Sequence, residues 1–131
     1  MRLAAYIDLI RNLINSRKDL QVERFMVQQF EEEPSALIEG RLRFWDGSLL
    51  RFSEELIERS VIVRRQEYVY HYQSADNSLI FRYDNSPHYP SIVTFPDHKH
   101  VYSSGAEQIE PASAPGFIEV LHEIDSLLYA D

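Results

Sequence analysis

The chain has 131 residues, with 13 Lys or Arg against 21 Asp or Glu, which gives a formal net charge of −8. Hydrophobic residues make up 44% of an ordinary globular composition without Cys, which excludes disulfides, thiolate metal sites and a Cys nucleophile. No apolar run approaches the ~20 residues that span a bilayer, and the start of the chain carries Asp8 and lacks a small-residue cleavage site. We therefore expect a cytoplasmic protein, with residues 1–131 forming a single domain.

The two ends of the chain predict amphipathic helices. Apolar residues recur every three or four positions from Leu3 to Ile14, and the pattern ends near Asn15. The same spacing returns from Phe117 to Leu128, just after Pro115, a residue that suits the first turn of a helix.

Alternating residues between these helices predict an antiparallel sheet. The predicted strands are 20–31, 35–45, 49–52, 61–73, 78–85 and 98–102. Residues 53–60 are interpreted as a turn region, and 85–97 and 103–115 as loops. The fold class is therefore α+β, a single domain with an antiparallel sheet of about five or six strands flanked by an N-terminal and a C-terminal helix.

Two pairs of predicted strands are joined by short turns that define their register. Asp46-Gly47 is a strong turn signal, but a strict two-residue loop would place Leu50 and Phe52 on the same side as Arg41, so either a bulge restores the register or both faces are partly covered. In the second hairpin, a loop at Asp76-Asn77 places Tyr70 opposite Tyr83 and His71 opposite Arg82, with Asp84 one diagonal step away.

Titratable residues are concentrated in one part of the chain. Four of the five His and six of the eight Tyr lie between residues 68 and 102. Residues 81–88 (FRYDNSPH) and 95–100 (FPDHKH) place polar groups at strand ends or beside a loop, where binding residues are common. If these two segments meet in space, they form a candidate site.

A histidine pair near neutral pH can act as general base and general acid, and cationic side chains can stabilise charge on a phosphoryl oxygen. His88, His98 and His100 are candidates for the first role, Arg82 and Lys99 for the second, and Asp84 for orienting a His or Arg. Such a set can cleave RNA without a metal, and nearby tyrosines such as Tyr83 could stack on bases. His98 and His100 with His88 or Asp97 would also offer a nitrogen and oxygen ligand set, but His-x-His alone is a weak metal signal, so no metal or other cofactor is predicted.

Three blocks of sequence together resemble the TumE-like family of bacterial toxins. They are Tyr68 to Gln73 (YVYHYQ), Leu79 to His88 (LIFRYDNSPH), and Phe95-Pro96 followed by His98 to His100 (HKH). The resemblance implies a bacterial protein with an antitoxin encoded beside it, often of helix-turn-helix type, and a ribonuclease-like activity. It marks seven positions, which are Arg82, Asp84, Asn85, His88, His98, Lys99 and His100.

The chain departs from the family pattern at two positions. Tyr89 stands where a second His often follows the Pro-His pair, and Asp97 where a His often precedes His98. Both changes reduce the local number of imidazoles. They weaken a metal site more than metal-free acid/base catalysis.

The sequence therefore predicts a toxin-like protein acting as a metal-independent ribonuclease. The catalytic candidates are His88, His98, His100, Arg82, Lys99 and Asp84, and the substrate-binding candidates are His71, Asn85 and Tyr83. The alternative is a non-enzymatic module whose sheet face binds a partner protein, with the His cluster structural or metal-binding. The net charge of −8 disfavours a broad phosphate-binding surface but allows a local one. An exposed sheet edge would also allow a homodimer.

Overall fold

Seven strands follow one another in a meander between two helices. The computed structural model describes residues 1–130. The elements are α1 (Leu3–Asn15), β1 (Leu20–Phe30), β2 (Ser35–Phe44), β3 (Leu49–Arg59), β4 (Ile62–Gln73), β5 (Leu79–Asp84), β6 (His98–Ser103), β7 (Ala106–Pro111) and α2 (Phe117–Leu128). Each strand pairs antiparallel with its neighbours in the chain, in the order β1-β2-β3-β4-β5-β6-β7. The predicted α+β class and the two flanking helices are confirmed, with seven strands rather than five or six.

Both helices pack on the same face of the sheet. Their apolar stripes, which include Ile10 of α1 and Val120 of α2, join the inward side chains of the strands in one core. The aromatic row predicted for β4 and β5 lies in this core, where Tyr70 and Tyr72 are fully buried. Within residues 1–130 no helix packs on the opposite face of the sheet, which we call the open face, and the outward side chains of β2, β3 and β4 lie there.

The β2–β3 loop shows how Leu50 and Phe52 come to lie on the opposite face from Arg41. Phe44 donates its backbone N–H to the carbonyl of Ser48, so the loop has three residues, and Gly47 takes a positive φ of 84° that favours glycine. Leu42 then pairs with Leu50, which keeps both leucines on the covered face. The strict two-residue loop is therefore wrong, and the alternative with a restored register is confirmed.

Two predicted non-strand segments are wrong. The segment 53–60 continues β3 to Arg59, and the chain then turns at Ser60-Val61, both with positive φ. Glu54 occupies a buried position and accepts hydrogen bonds from Tyr6 and Tyr70, which explains why a core position in this strand is polar. The segment 103–115 contains β7, an edge strand whose residues are mostly exposed and therefore show no apolar alternation.

The register predicted for β4 and β5 is confirmed. Tyr70 pairs with Tyr83, and His71 pairs with Arg82. The loop is one residue longer than predicted, because Ser74 donates its N–H to the carbonyl of Ser78, and an irregularity next to Tyr72 compensates for it. This register places His71 and Arg82 on the face without helices.

Candidate active site

The strand pair β5–β6 brings together the ends of the two polar segments. Arg82 pairs with His100 and Asp84 pairs with His98, so all four side chains lie on the face away from the helices. Residues 85–97 form the connection between these strands, and its Tyr89 ring packs against the rings of His98 and His100, at centroid distances of 4.8 Å and 5.9 Å. The predicted meeting of the two segments therefore occurs around Asp84.

Asp84 is the centre of this cluster. Its side chain is 4% exposed and lies 2.9 Å from Nε of Arg82, 3.0 Å from Nε2 of His98 and 3.4 Å from Nε2 of His100. Burial acts to raise the pKa of Asp84, but hydrogen bonds from Arg82 and from the backbone N–H of Ser86 hold it below its ordinary value. The carboxylate is therefore ionised and holds three nitrogen-bearing side chains around it.

His98 is completely enclosed, with 1% of its side chain exposed. Its Nδ1 lies 2.8 Å from the carbonyl oxygen of Pro96, and since a carbonyl only accepts, Nδ1 carries a hydrogen. Its Nε2 faces the Asp84 carboxylate and has no aligned hydrogen-bond partner. The contact between Nε2 of His98 and Oδ1 of Asp84 is therefore a close approach of 3.0 Å without hydrogen-bond geometry, and this nitrogen is a candidate ligand atom.

His100 is more accessible, with 12% of its side chain exposed. Its Nδ1 lies 3.7 Å from the Glu107 carboxylate, while Nε2 faces Asp84. Burial lowers the pKa of His100, although the carboxylates of Asp84 and Glu107 act in the opposite direction. Of the two histidines in β6, only His100 is open to a ligand.

His71 lies on the other side of Arg82. Nη1 of Arg82 is 3.4 Å from Nδ1 of His71, and because a guanidinium only donates, this contact belongs to a neutral imidazole with its hydrogen on Nε2. Burial and the nearby guanidinium groups of Arg51 and Arg82 lower the pKa of His71. The open face thus presents Arg82 with an imidazole on each side.

Several predicted site residues lie elsewhere. Lys99 points to the helix-covered face, where it donates to Glu123 of α2, and Tyr83 donates to the same carboxylate. The Asn85 side chain bonds to the backbone of β4: its Oδ1 accepts from the N–H of Tyr68, and its Nδ2 donates to the carbonyl of Gln66. His88 is exposed in the loop, where its ring packs against Tyr89 rather than against Asp84.

Three of these residues could hold a metal ion. One ligand atom each from Asp84, His98 and His100 lie within 4.8 Å of one another. The hydrogen bond from Nδ1 of His98 to a backbone carbonyl is also the outer contact that metal-bound imidazoles commonly make. The cluster is therefore chemically suited to a divalent cation.

The open face carries further cations that no sequence motif marked. Arg24, Arg41 and Arg51 line, with His71 and Arg82, a groove of about 300 Å³. The outward phase of Arg41 was visible in the alternation of β2, but its neighbours across the sheet depend on registers that no single segment reveals. Tyr89, which packs on the two histidines of β6, also contributes to the site although the sequence pattern did not mark it.

Comparison with known proteins identifies one family. The model of a family described as toxin TumE matches residues 9–128. No curated protein and no solved structure matches the chain. In residues 1–130, none of the helices has the length and apolar character needed to cross a membrane.

Proposed function

The chain belongs to the TumE toxin family and is the toxin component of a toxin–antitoxin pair; from that premise we propose that it acts by cleaving RNA at Arg82. The observation that carries this proposal is the register of β4, β5 and β6. It places His71, Arg82 and His100 side by side on the face without helices. Because adjacent strands are about 4.8 Å apart, the backbones that carry the two histidines are separated by about 10 Å, with the Arg82 strand between them.

Arg82 is the phosphate-binding group. It can turn its donors from His71 and Asp84 to the oxygens of a phosphodiester, and it stabilises the charge that develops there during cleavage. The Arg82 side chain is 35% exposed, whereas the Asp84 side chain is 4% exposed. The enclosed carboxylate therefore holds the guanidinium at the surface, where phosphate can reach it.

His71 acts as the general base. Once phosphate has taken the Arg82 donors, Nδ1 of His71 is free to accept the proton of the ribose 2′-OH. The 2′-oxygen then forms a bond to phosphorus, and the bond to the 5′-oxygen breaks. The products are a 2′,3′-cyclic phosphate and a 5′-hydroxyl, so a ribose 2′-OH is required and DNA is not cleaved.

His100 acts as the general acid that protonates the departing 5′-oxygen. The carboxylates of Asp84 and Glu107 face its two ring nitrogens and orient the ring, and a lowered pKa makes its protonated form a stronger acid. His98, which is too enclosed to touch RNA, is a positioning residue that supports Asp84. The scheme uses no metal.

The test is cleavage of a labelled RNA by the purified chain. His71→Ala and His100→Ala should each reduce the rate on the order of 10² to 10⁴-fold, the range expected for loss of a general acid or base. His122→Ala, on the exposed side of α2, is the matched control and should cleave at the wild-type rate. If RNA containing a 2′-deoxyribose at the cut site is cleaved equally well, the proposed mechanism is excluded.

A second candidate, metal-assisted cleavage, is favoured by the unpartnered Nε2 of His98. A divalent cation held by Asp84, His98 and His100 would satisfy that nitrogen and would itself supply electrostatic stabilisation of the phosphate. Chelation separates the two candidates. Cleavage that survives EDTA supports the scheme without metal, and cleavage that is lost with EDTA and restored by Mn²⁺ or Zn²⁺ supports the second.

A further inference from the structure

Six consecutive strands each contribute one basic side chain to a single line across the open face. Arg24 pairs with Arg41, and Arg41 pairs with Arg51. The line continues without interruption through the remaining members, so that the whole set is Arg24, Arg41, Arg51, His71, Arg82 and His100. We call this set the cationic row; with a strand spacing of about 4.8 Å it is about 24 Å long.

The cationic row is a local exception in an acidic protein. It holds four of the 13 Lys and Arg residues of a chain whose net charge is −8. Arg24, Arg41 and Arg82 have carboxylate partners in Glu39, Glu23 and Asp84. Among residues 1–130, Arg51 at the centre of the row forms no ion pair, so its guanidinium has unused donors.

We propose that the cationic row binds one strand of RNA and leads it to Arg82. This inference rests on the proposed function, since the row ends at the same three residues that are proposed to cleave the strand. Guanidinium groups suit the occupant because they bind phosphate oxygens bidentately and also stack on bases. The row extends from Arg82 across β4, β3, β2 and β1, so most of the bound strand lies on one side of the cut.

The arrangement of charge favours a single strand over a duplex. The row is one residue wide except on β2, where Arg43 follows Arg41 on the same face and both contact Glu23. On the same face, Glu55 pairs with Glu67 about 13 Å along the strands from Arg51. Burial and, second, repulsion from the Glu67 carboxylate raise the pKa of Glu55, so the two carboxylates lie close together. The second backbone of a duplex would meet these carboxylates, whereas a single strand would not.

Binding can be measured without cleavage by using a fluorescein-labelled 2′-O-methyl RNA of about twelve nucleotides, within the usual site size of single-strand binders. The affinity of the full chain for this RNA is followed as a function of salt. The variant combines Arg24→Gln, Arg41→Gln and Arg51→Gln, none of which belongs to the proposed catalytic set. The matched control combines Arg11→Gln, Lys18→Gln and Arg59→Gln, which remove the same charge from outside the cationic row.

We expect the row variant to bind the RNA about tenfold more weakly than the wild type. The slope of log K against log salt should become less negative by about 2, since each of the three lost phosphate contacts contributes about 0.7 on a single strand. The control should keep the wild-type slope. Equal slopes for the two triple variants, equal affinity for a duplex of the same sequence, or stronger competition by polyglutamate than by unlabelled RNA would each overturn the proposal. RNA that binds with the expected slope but is not cleaved in its 2′-OH form would overturn the proposed function and leave the cationic row supported.

Discussion

At the scale of single residues, Asp84 decides the geometry of the site. One enclosed carboxylate contacts Arg82, His98 and His100, and it also accepts the backbone N–H of Ser86 where β5 ends. A carboxylate that is shared in this way fixes the direction of each partner. The same residue therefore contributes to stability and to the proposed activity.

Replacing Asp84 by Asn should lower the free energy of unfolding by about 3 kcal/mol, because it removes one partner of an enclosed ionic cluster and leaves cations without a counter-charge. Urea denaturation measures this change. Asp8→Asn, at an exposed position on α1, is the control and should have little effect. Equal stability of the Asp84 variant and the wild type would contradict the central role given to this carboxylate.

The pH dependence of stability provides a second prediction. The pKa of His71 is lower in the folded chain than its ordinary value near 6.5, so the unfolded chain binds more protons below that pH. Its contribution is therefore complete above about pH 6.5 and is lost as the pH falls toward the lowered pKa. His71→Asn should flatten the rise in the free energy of unfolding as the pH increases toward about 6.5, and an unchanged rise would show that His71 titrates equally in both states.

At the scale of elements, the packing of β2 against β3 depends on one glycine. A Cβ built at Gly40 would lie 2.2 Å from Cε1 of Phe52, whose ring belongs to the core beneath α2. The absence of a side chain at position 40 is therefore what gives the Phe52 ring its place.

Gly40→Ala should destabilise the fold by about 1 to 3 kcal/mol through overpacking. Thermal denaturation measures the effect. The double variant Gly40→Ala with Phe52→Leu should lose less than the sum of the two single changes, because the smaller side chain leaves room for the new methyl group. Strict additivity would show that the two residues do not compete for the same space.

The sequence predicted the elements wherever a buried face alternates with an exposed one. The helices, β2 and the β4–β5 pair follow that pattern, and the pairing of His71 with Arg82 came from it. The pattern failed at Glu54, a polar core residue whose partners Tyr6 and Tyr70 lie on other elements, and at β7, an edge strand with little to bury. It failed again at the turn Ser60-Val61, where the favoured Asn-Gly signal is missing.

The site was predictable only in part for a related reason. The convergence of Arg82, Asp84, His98 and His100 follows from two strands that pair directly. Lys99 has the opposite phase from its neighbours and therefore contacts Glu123 on the covered face. The cationic row requires five registers to hold at once, and several of these contain irregularities that shift the pairing by one residue.

At the scale of the whole molecule, one face of the sheet is closed by two helices and the other is open. A toxin needs an antitoxin that blocks its action, and we propose that the antitoxin, encoded by a neighbouring gene and of helix-turn-helix type, covers the open face. Expression of the chain in a bacterium should arrest growth, and coexpression of the neighbouring protein should relieve the arrest. His100→Ala should not arrest growth, and full arrest by that variant would favour the alternative in which the sheet face acts only by binding a partner.

The strand order has a consequence for the synthesis of the protein. Because every strand pairs with the one made just before it, the sheet can grow on the ribosome in the order of translation. The aromatic side chains of β4 and β5 are synthesised before α2, which follows all seven strands and packs against part of their covered face. In a nascent chain, part of this apolar aromatic surface therefore stays exposed until α2 has formed. A chaperone that binds the exposed surface would delay the appearance of the folded toxin.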